Sequence, residues 1–172
     1  MVEKISELEV WQRGPIEGVP ALLQPVAHAL LQAIEDVEKE TSAFPLELIW
    51  EKPGGVASVG FHLKHVRGVV DRLFTYARGE MLSDAQIHAL KEESFAGDAD
   101  SIHVLVDKFR NQVASAIEQL KTIDVNTLAE KRGVGRKQIP STVIGLLFHA
   151  AEHVQRHVGQ LIVTARILRA QL

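Results

Sequence analysis

The sequence predicts an all-α fold, a four-helix bundle with one short extra helix between the second and third long helices. Apolar residues recur at spacings of three and four in four long stretches, which is the pattern of amphipathic helices. Proline and glycine separate these stretches. Aromatic residues make up only 5% of a chain that is 46% hydrophobic. With no internal repeat or linker, residues 1–172 are expected to form a single four-helix-bundle domain.

The first long helix is predicted over residues 22–40, after a proline-rich lead-in. Its apolar face consists of Leu22, Val26, Leu30, Ile34 and Val37. A loop with two prolines follows over residues 41–55. The second helix should run from about Ala57 to Arg78 and end before Gly79, a typical C-terminal capping residue. Its inward face consists of Val59, His62, Val66, Val69, Val70 and Leu73.

The short helix is predicted over residues 83–93, with Ser83 or Asp84 as its cap. Asp100 is expected to cap the third long helix, which runs to about Lys121. Its inward residues are Ile102, Val106, Phe109, Val113 and Leu120. Residues 130–138 are interpreted as a glycine-rich basic loop, either simply solvated or capturing an anionic thiol cofactor. The last helix should open at residues 140–142 and continue toward the end of the chain.

Composition excludes several classes of function. The chain has eight histidines and no cysteine, so thiolate metal sites, disulfides and cysteine nucleophiles are excluded. A net charge of −3 provides no basic surface for nucleic acid or an anionic membrane. The first fourteen residues lack the apolar core of a signal peptide, so a cytoplasmic location is expected.

The histidines cluster in two helices. His149, His153 and His157 follow one another at intervals of four residues, beside the apolar stripe of the last helix. Two histidines one turn apart can bind one metal ion, and a third ligand must come from elsewhere. The second helix offers His62 or His65, and the spacing alone does not choose between them. Three neutral ligands would leave a divalent ion with an open position, as catalytic sites require.

The segment from His149 to His153 also matches the inverted zincin pattern His-x-x-Glu-His, with Glu152 in the place of the general base. The ordinary zincin pattern fails, because Val154 follows His153 where a glutamate is needed. Because Glu152 is predicted to project toward the polar side of the helix, the inverted pattern is the less favoured interpretation.

Two segments carry a resemblance to a known family. The run from His149 through His153 and His157 to Val158-Gly159-Gln160-Leu161 resembles the last-helix signature of the DinB/YfiT-like superfamily of metalloenzymes. Residues 57–66, with the sequence ASVGFHLKHV, are similar to that family's other histidine segment. The predicted order of helices agrees with the family over nearly the whole chain.

The resemblance implies a divalent ion, often nickel or zinc, held by three histidines. One ligand lies on the second helix and two lie on the last. Carried across by motif, these are His65, which precedes a Val-Arg pair, with His153 and His157. His62 and His149 become neighbours of the site, and the remaining histidines, His28, His88 and His103, become bystanders.

The sequence therefore supports two hypotheses about function, an enzyme and a non-catalytic protein. The leading hypothesis is a metal-dependent enzyme that activates a thiol, as an S-transferase, or water, as a hydrolase, on a small-molecule substrate. Characterised relatives use low-molecular-weight thiols in S-transfer or isomerisation, so such a thiol is the expected co-substrate. The alternative is a non-catalytic dimeric helical protein with a structural metal or none. The apolar surface of the first and third helices is compatible with a homodimer.

Overall fold

A computed structural model describes residues 8–172. The expectation about a signal peptide rests on the first fourteen residues, and the first seven of these lie outside the described part. The long helices are α1 (Gln24–Thr41), α2 (Val59–Ala77), α4 (Ile102–Thr122) and α5 (Val143–Arg169). The short helix is α3 (Asp84–Lys91), and the strands are β1 (Lys131–Val134) and β2 (Ile139–Thr142). Short 3₁₀ turns lie at Val10–Arg13, Ala21–Leu23, Leu46–Leu48, Pro53–Gly55, Glu92–Ser94 and Val125–Thr127.

Hydroxyl side chains begin four of the five α-helices. Ser58, Ser83, Ser101 and Thr142 each accept a hydrogen bond from the backbone N–H three residues ahead. These bonds satisfy N–H groups that have no partner inside the helix. The predicted cap at Ser83 is thereby confirmed, and so is the end of α2, because Gly79 follows it with φ +80°.

The predicted cap of the third long helix, Asp100, is wrong by one residue. Ser101 is the cap, with its hydroxyl accepting from the N–H of Val104. The Asp100 carboxylate instead accepts from the N–H of Gly97 at 2.7 Å and pairs with the Lys64 ammonium at 2.6 Å. A half-buried cation on α2 therefore draws Asp100 away from the helix end.

The sequence predicted a loop over residues 130–138, and this prediction is wrong because the segment belongs to a β-hairpin. β1 and β2 pair antiparallel, with Lys131 opposite Thr142 and Val134 opposite Ile139. The turn between them uses Gly135 at φ +66° and Gln138 at φ +50°. Residues 140–142, expected to open the last helix, lie in β2, so α5 begins at Val143. The short strands and the clustered lysine and arginine residues concealed the hairpin.

The core lies between the four long helices, and its largest fully buried side chains include Leu30, Leu63, Phe74, Phe109 and Leu147. The predicted inward residues of the first three long helices are buried or partly buried, with one exception. The apolar stripe of α5 is also buried and consists of Val143, Leu147, Val154, Val158 and Leu161. The exception belongs to the predicted first helix. Leu22 lies in the 3₁₀ turn before α1 and is 65% exposed. Over residues 8–172, the helices are too short or too polar to cross a membrane.

Candidate metal centre

Four histidines from two helices meet at the packed interface of α2 and α5. The Nε2 atoms of His65 and His153 lie 3.0 Å apart, and the Nδ1 atoms of His62 and His157 lie 3.1 Å apart. The ring of His157 is centred 4.4 Å from that of His65 and 4.6 Å from that of His153. The spacing of four residues on α5 and three on α2 places these rings on facing sides of neighbouring turns.

Each of His65, His153 and His157 offers a ring nitrogen, and the three nitrogens lie within 4.8 Å of one another. Nitrogens bound to one tetrahedral ion at 2.0–2.1 Å lie about 3.3 Å apart. The observed separations are therefore of the right size for a shared ion. His62, the alternative second-helix residue, is not part of this group, and its Nδ1 faces the Nδ1 of His157.

A buried carboxylate fixes the ring of His65. Glu93, in the 3₁₀ turn after α3, accepts a hydrogen bond from His65 Nδ1 at 2.7 Å. Its other oxygen accepts from Arg72 at 2.6 Å. Glu93 is only 5% exposed, so water does not compete for these bonds. Since Nδ1 of a neutral His65 must carry the proton to donate, Nε2 presents its lone pair toward His153.

Gly68 makes room for this arrangement. It lies one turn beyond His65 on α2, and a Cβ there would overlap Glu93 Oε1 and the Arg72 guanidinium. Glycine in a helix interior costs stability relative to alanine. Gly68 therefore lowers the local stability of α2 but allows the Glu93–Arg72 pair to approach the helix closely.

Burial favours the neutral form of the imidazoles. Desolvation and the neighbouring His65 lower the pKa of His62 to about 4. Desolvation and the surrounding histidines, His65 first, also lower the pKa of His157 to about 4. The pKa of His153 is lowered for the same reasons. At neutral pH these rings keep the lone pairs that metal binding requires.

His153 lacks one partner. Its Nδ1 atom is buried and is the one such side-chain atom among the described residues without a hydrogen bond. Buried polar atoms are nearly always paired, so an exception marks a position where a partner is missing. Together with three converging imidazole donors, this unpaired nitrogen fits a site that holds a transition-metal ion.

His149 and Glu152 lie beside the cluster. His149 Nδ1 is 2.6 Å from a Glu152 oxygen, and the other Glu152 oxygen accepts from Arg156 at 2.6 Å. With His153 these residues form a second group that could hold an ion. The side chain of His149 is about half exposed, so this group lies nearer the surface than the first.

The three remaining histidines lie outside the cluster. His28 bonds to the carbonyl of Gly14 at 3.1 Å, His103 faces Asp107 on the surface, and His88 is exposed. The sequence therefore separated the clustered histidines from the others.

Sequence reasoning missed Glu93, Arg72 and Gly68. Glu93 stands beside Glu92 in a polar run and carries no sign of burial. Arg72 lies on a mostly apolar helix, where an arginine is usually a surface residue. A glycine in the middle of a predicted helix was the available signal, because such a glycine often marks a close approach.

Comparison with known families also indicates a metal-binding helical protein. A family model described as the DinB superfamily matches residues 8–161. The chain belongs to the DinB superfamily. This is a metal-binding helical family, and in this DinB-superfamily protein the described residues include histidine groups able to hold a metal ion. Among curated proteins, none matches the chain significantly.

Proposed function

We propose that this DinB-superfamily protein is a metal-dependent enzyme in which His65, His153 and His157 hold a divalent transition metal, nickel or zinc. Its reaction is activation of a thiol, as an S-transferase, or of water, as a hydrolase, on a small-molecule substrate. The observation that carries the proposal is the convergence of three imidazoles from two helices, with His65 oriented by a buried carboxylate.

The donor set suits catalysis better than structural support. A divalent ion bound by three neutral ligands keeps its charge and an open position, and it lowers the pKa of a bound water or thiol toward neutrality. Closed structural sites use four protein ligands. The described ligand group contains three, which supports an open position for a substrate atom.

The protein's own residues prepare the ligands. Glu93 holds the proton of His65 on Nδ1 and so directs Nε2 toward the site. His62 can play the same part for His157: in the tautomer in which His157 Nδ1 donates to His62 Nδ1, the Nε2 of His157 keeps its lone pair for the metal. Partners of this kind orient metal ligands in characterised sites and raise their basicity.

The absence of cysteine fixes the source of any reacting thiol. The chain contains no sulfur nucleophile, so any sulfur that reacts must arrive with a low-molecular-weight thiol.

Elemental analysis of protein prepared without a histidine tag tests the proposal. After expression with added nickel and zinc, we expect about one equivalent of metal per chain, as a single three-ligand site predicts. His157→Ala should lose it, whereas His103→Ala, which removes an exposed histidine outside the cluster, should retain it. Metal-free wild type, or full metal in His157→Ala, contradicts the proposed site.

The same preparation separates catalysis from structural support. Turnover of a thiol and an electrophile, or hydrolysis of an ester or amide, should appear with metal and disappear after chelation. If chelation lowers only the midpoint of thermal unfolding and a panel of such substrates shows no turnover, the non-catalytic dimeric alternative replaces the enzyme.

A second candidate, a hydrolase of the inverted zincin type, is favoured by the proximity of His149, Glu152 and His153. Burial raises the pKa of Glu152, but hydrogen bonds from Arg156 and His149 outweigh it and keep that pKa below its usual range. These bonds occupy both oxygens of the carboxylate that would act as base. Hydrolysis abolished in Glu152→Gln supports this candidate, and unchanged hydrolysis removes it.

A further inference from the structure

A cavity of about 290 Å³ adjoins the histidine cluster, and His65 and His153 both line it. The rest of its wall is mainly apolar and consists of Val69, Leu73, Tyr76, Leu82, Leu90 and Val134. The wall is built from α2, from the segment around α3 and from β1. Together with His149 and His153 of α5, these elements border an open space beside the ligand nitrogens.

The charged groups at this cavity are already paired. Arg72 lines it, but its guanidinium donates to Glu93. His149 also lines it, and its Nδ1 faces Glu152. A charged substituent placed among the apolar side chains would lose its hydration without gaining a free counter-charge. The cavity therefore favours a neutral apolar group.

We propose that this cavity binds the apolar portion of an uncharged substrate whose polar head reaches the site between His65 and His153. This inference rests on the proposed function and names its substrate class. The substrate is a small molecule with an alkyl or aryl group, since the cavity lies at the small end of the range for ligand pockets. A charged, strongly polar thiol has no matching surface here and would approach the site from another side.

The single tyrosine of the chain provides a direct reporter. Tyr76 lies in the cavity wall and is 8% exposed, so labelled tyrosine gives one ring signal that an occupant will shift. Linear alcohols from butanol to hexanol should shift it saturably in the full-length protein, both as purified and after chelation. Each added methylene should tighten binding about fourfold while the chain remains inside the cavity.

Charge on the same chain is the matched probe. We expect 6-aminohexan-1-ol, which carries an ammonium at the far end, to bind at least about tenfold more weakly than hexanol. The indole signal of Trp50, whose ring lies against Lys64 and does not line the cavity, should not move. Equal binding of the two probes, no dependence on chain length, or no saturable shift of Tyr76 overturns the proposal.

Two substitutions in one hairpin locate the binding. Val134→Asp places a carboxylate in the wall and should weaken hexanol binding at least about tenfold. Ile139, its register partner, is 57% exposed and does not line the cavity, so Ile139→Asp should leave hexanol binding unchanged. Equal effects of the two substitutions would place the bound alcohol elsewhere and overturn the assignment.

The two proposals fail in different measurements. The alcohol series reports on the cavity without metal, whereas elemental analysis reports on the histidines without a substrate. If the protein binds hexanol at Tyr76 but binds no metal, the cavity proposal stands and the proposed metal-dependent enzyme is contradicted. If the protein binds metal but the Tyr76 signal does not shift, the metal site stands and the proposed substrate class is contradicted.

Discussion

The two helices that supply the proposed ligands hold them in different ways. On α2, His65 bonds to Glu93, which is itself bonded to Arg72, so a buried pair of opposite charges fixes one ring. On α5, the hydrogen bonds of His153 and His157 run to other imidazoles, those of His65 and His62. One side of the site is oriented by charge and the other by burial and helix spacing.

This difference teaches that the site depends on two separable properties. The α2 side requires a carboxylate delivered by a distant segment, the turn after α3. The histidines of α5 require only that α5 packs against α2. Their spacing of four residues places the rings on one face, and burial keeps the rings neutral. Substitutions that disturb one property without the other can measure each contribution.

The largest expected effect is on the charged side. Arg72→Ala leaves Glu93 buried without its cation, which typically costs about 3–5 kcal/mol of unfolding free energy. Arg110→Ala is the control, because Arg110 pairs with Glu38 at the surface and such pairs contribute about 1 kcal/mol or less. Urea unfolding measures both. Equal losses would show that the Arg72 pair is energetically a surface pair.

The next effect tests the buried imidazoles by pH. The folded state holds the pKa of His62 at about 4, while an unfolded histidine titrates near 6.5. Between these values the unfolded chain binds the extra proton, so stability should fall as pH drops from 6.5 to 4 and level off below. We expect about 3 kcal/mol from His62, measured by urea unfolding of chelated protein.

His62→Gln should make this pH profile shallower, because the contribution of His62 is lost while His153 and His157 still titrate. His103→Gln, at an exposed position, should leave the profile as in the wild type. A profile that stays equally steep without His62 would place its origin in other groups.

Orientation of His65 should be measurable as metal affinity. Glu93→Gln keeps the size of the side chain but removes its charge, and loss of such a partner typically weakens metal binding about 10–100-fold. Glu92→Gln changes the exposed neighbour and should leave affinity unchanged. Competition with a chromogenic chelator measures both, and unaltered affinity in Glu93→Gln would separate the carboxylate from the metal site.

The smallest expected effects come from two helical glycines with opposite surroundings. Gly68→Ala forces a methyl group against Glu93 and Arg72 and should cost about 1–3 kcal/mol. Gly159→Ala, on α5, meets no atom within 4 Å and should add about 0.5–1 kcal/mol. Thermal unfolding distinguishes the signs. Stabilisation by both alanines would show that the buried pair yields to a methyl group.

The sequence predicted the helices well because periodicity and breakers are local. It identified α1, α2, α4 and α5 with their inward faces and placed a short helix close to the observed α3. It failed where long-range contacts decide. Lys64 withdraws Asp100 from its predicted capping role, and the β1–β2 pairing appears only when residues 131–142 are considered together.

The candidate site divides along the same line. The α5 histidines were recognisable from spacing alone, and family resemblance selected His65 over His62. The structure brings His65 together with His153 and His157, while their role as ligands remains our proposal. Glu93 was not predictable, because its contact with His65 spans 28 residues and follows no periodic pattern.

The distance along the chain between the two histidine segments affects when the site can form. His65 and His153 are separated by 88 residues, and the ribosome adds about 5–20 residues per second. His65 is therefore synthesised roughly 4–18 seconds before its partner. During that interval the nascent chain carries His65 without the two proposed ligands of the last helix. Metal loading of the proposed site consequently follows synthesis of His157, and a stoichiometric ion would show that the two histidine segments have been made and packed against each other.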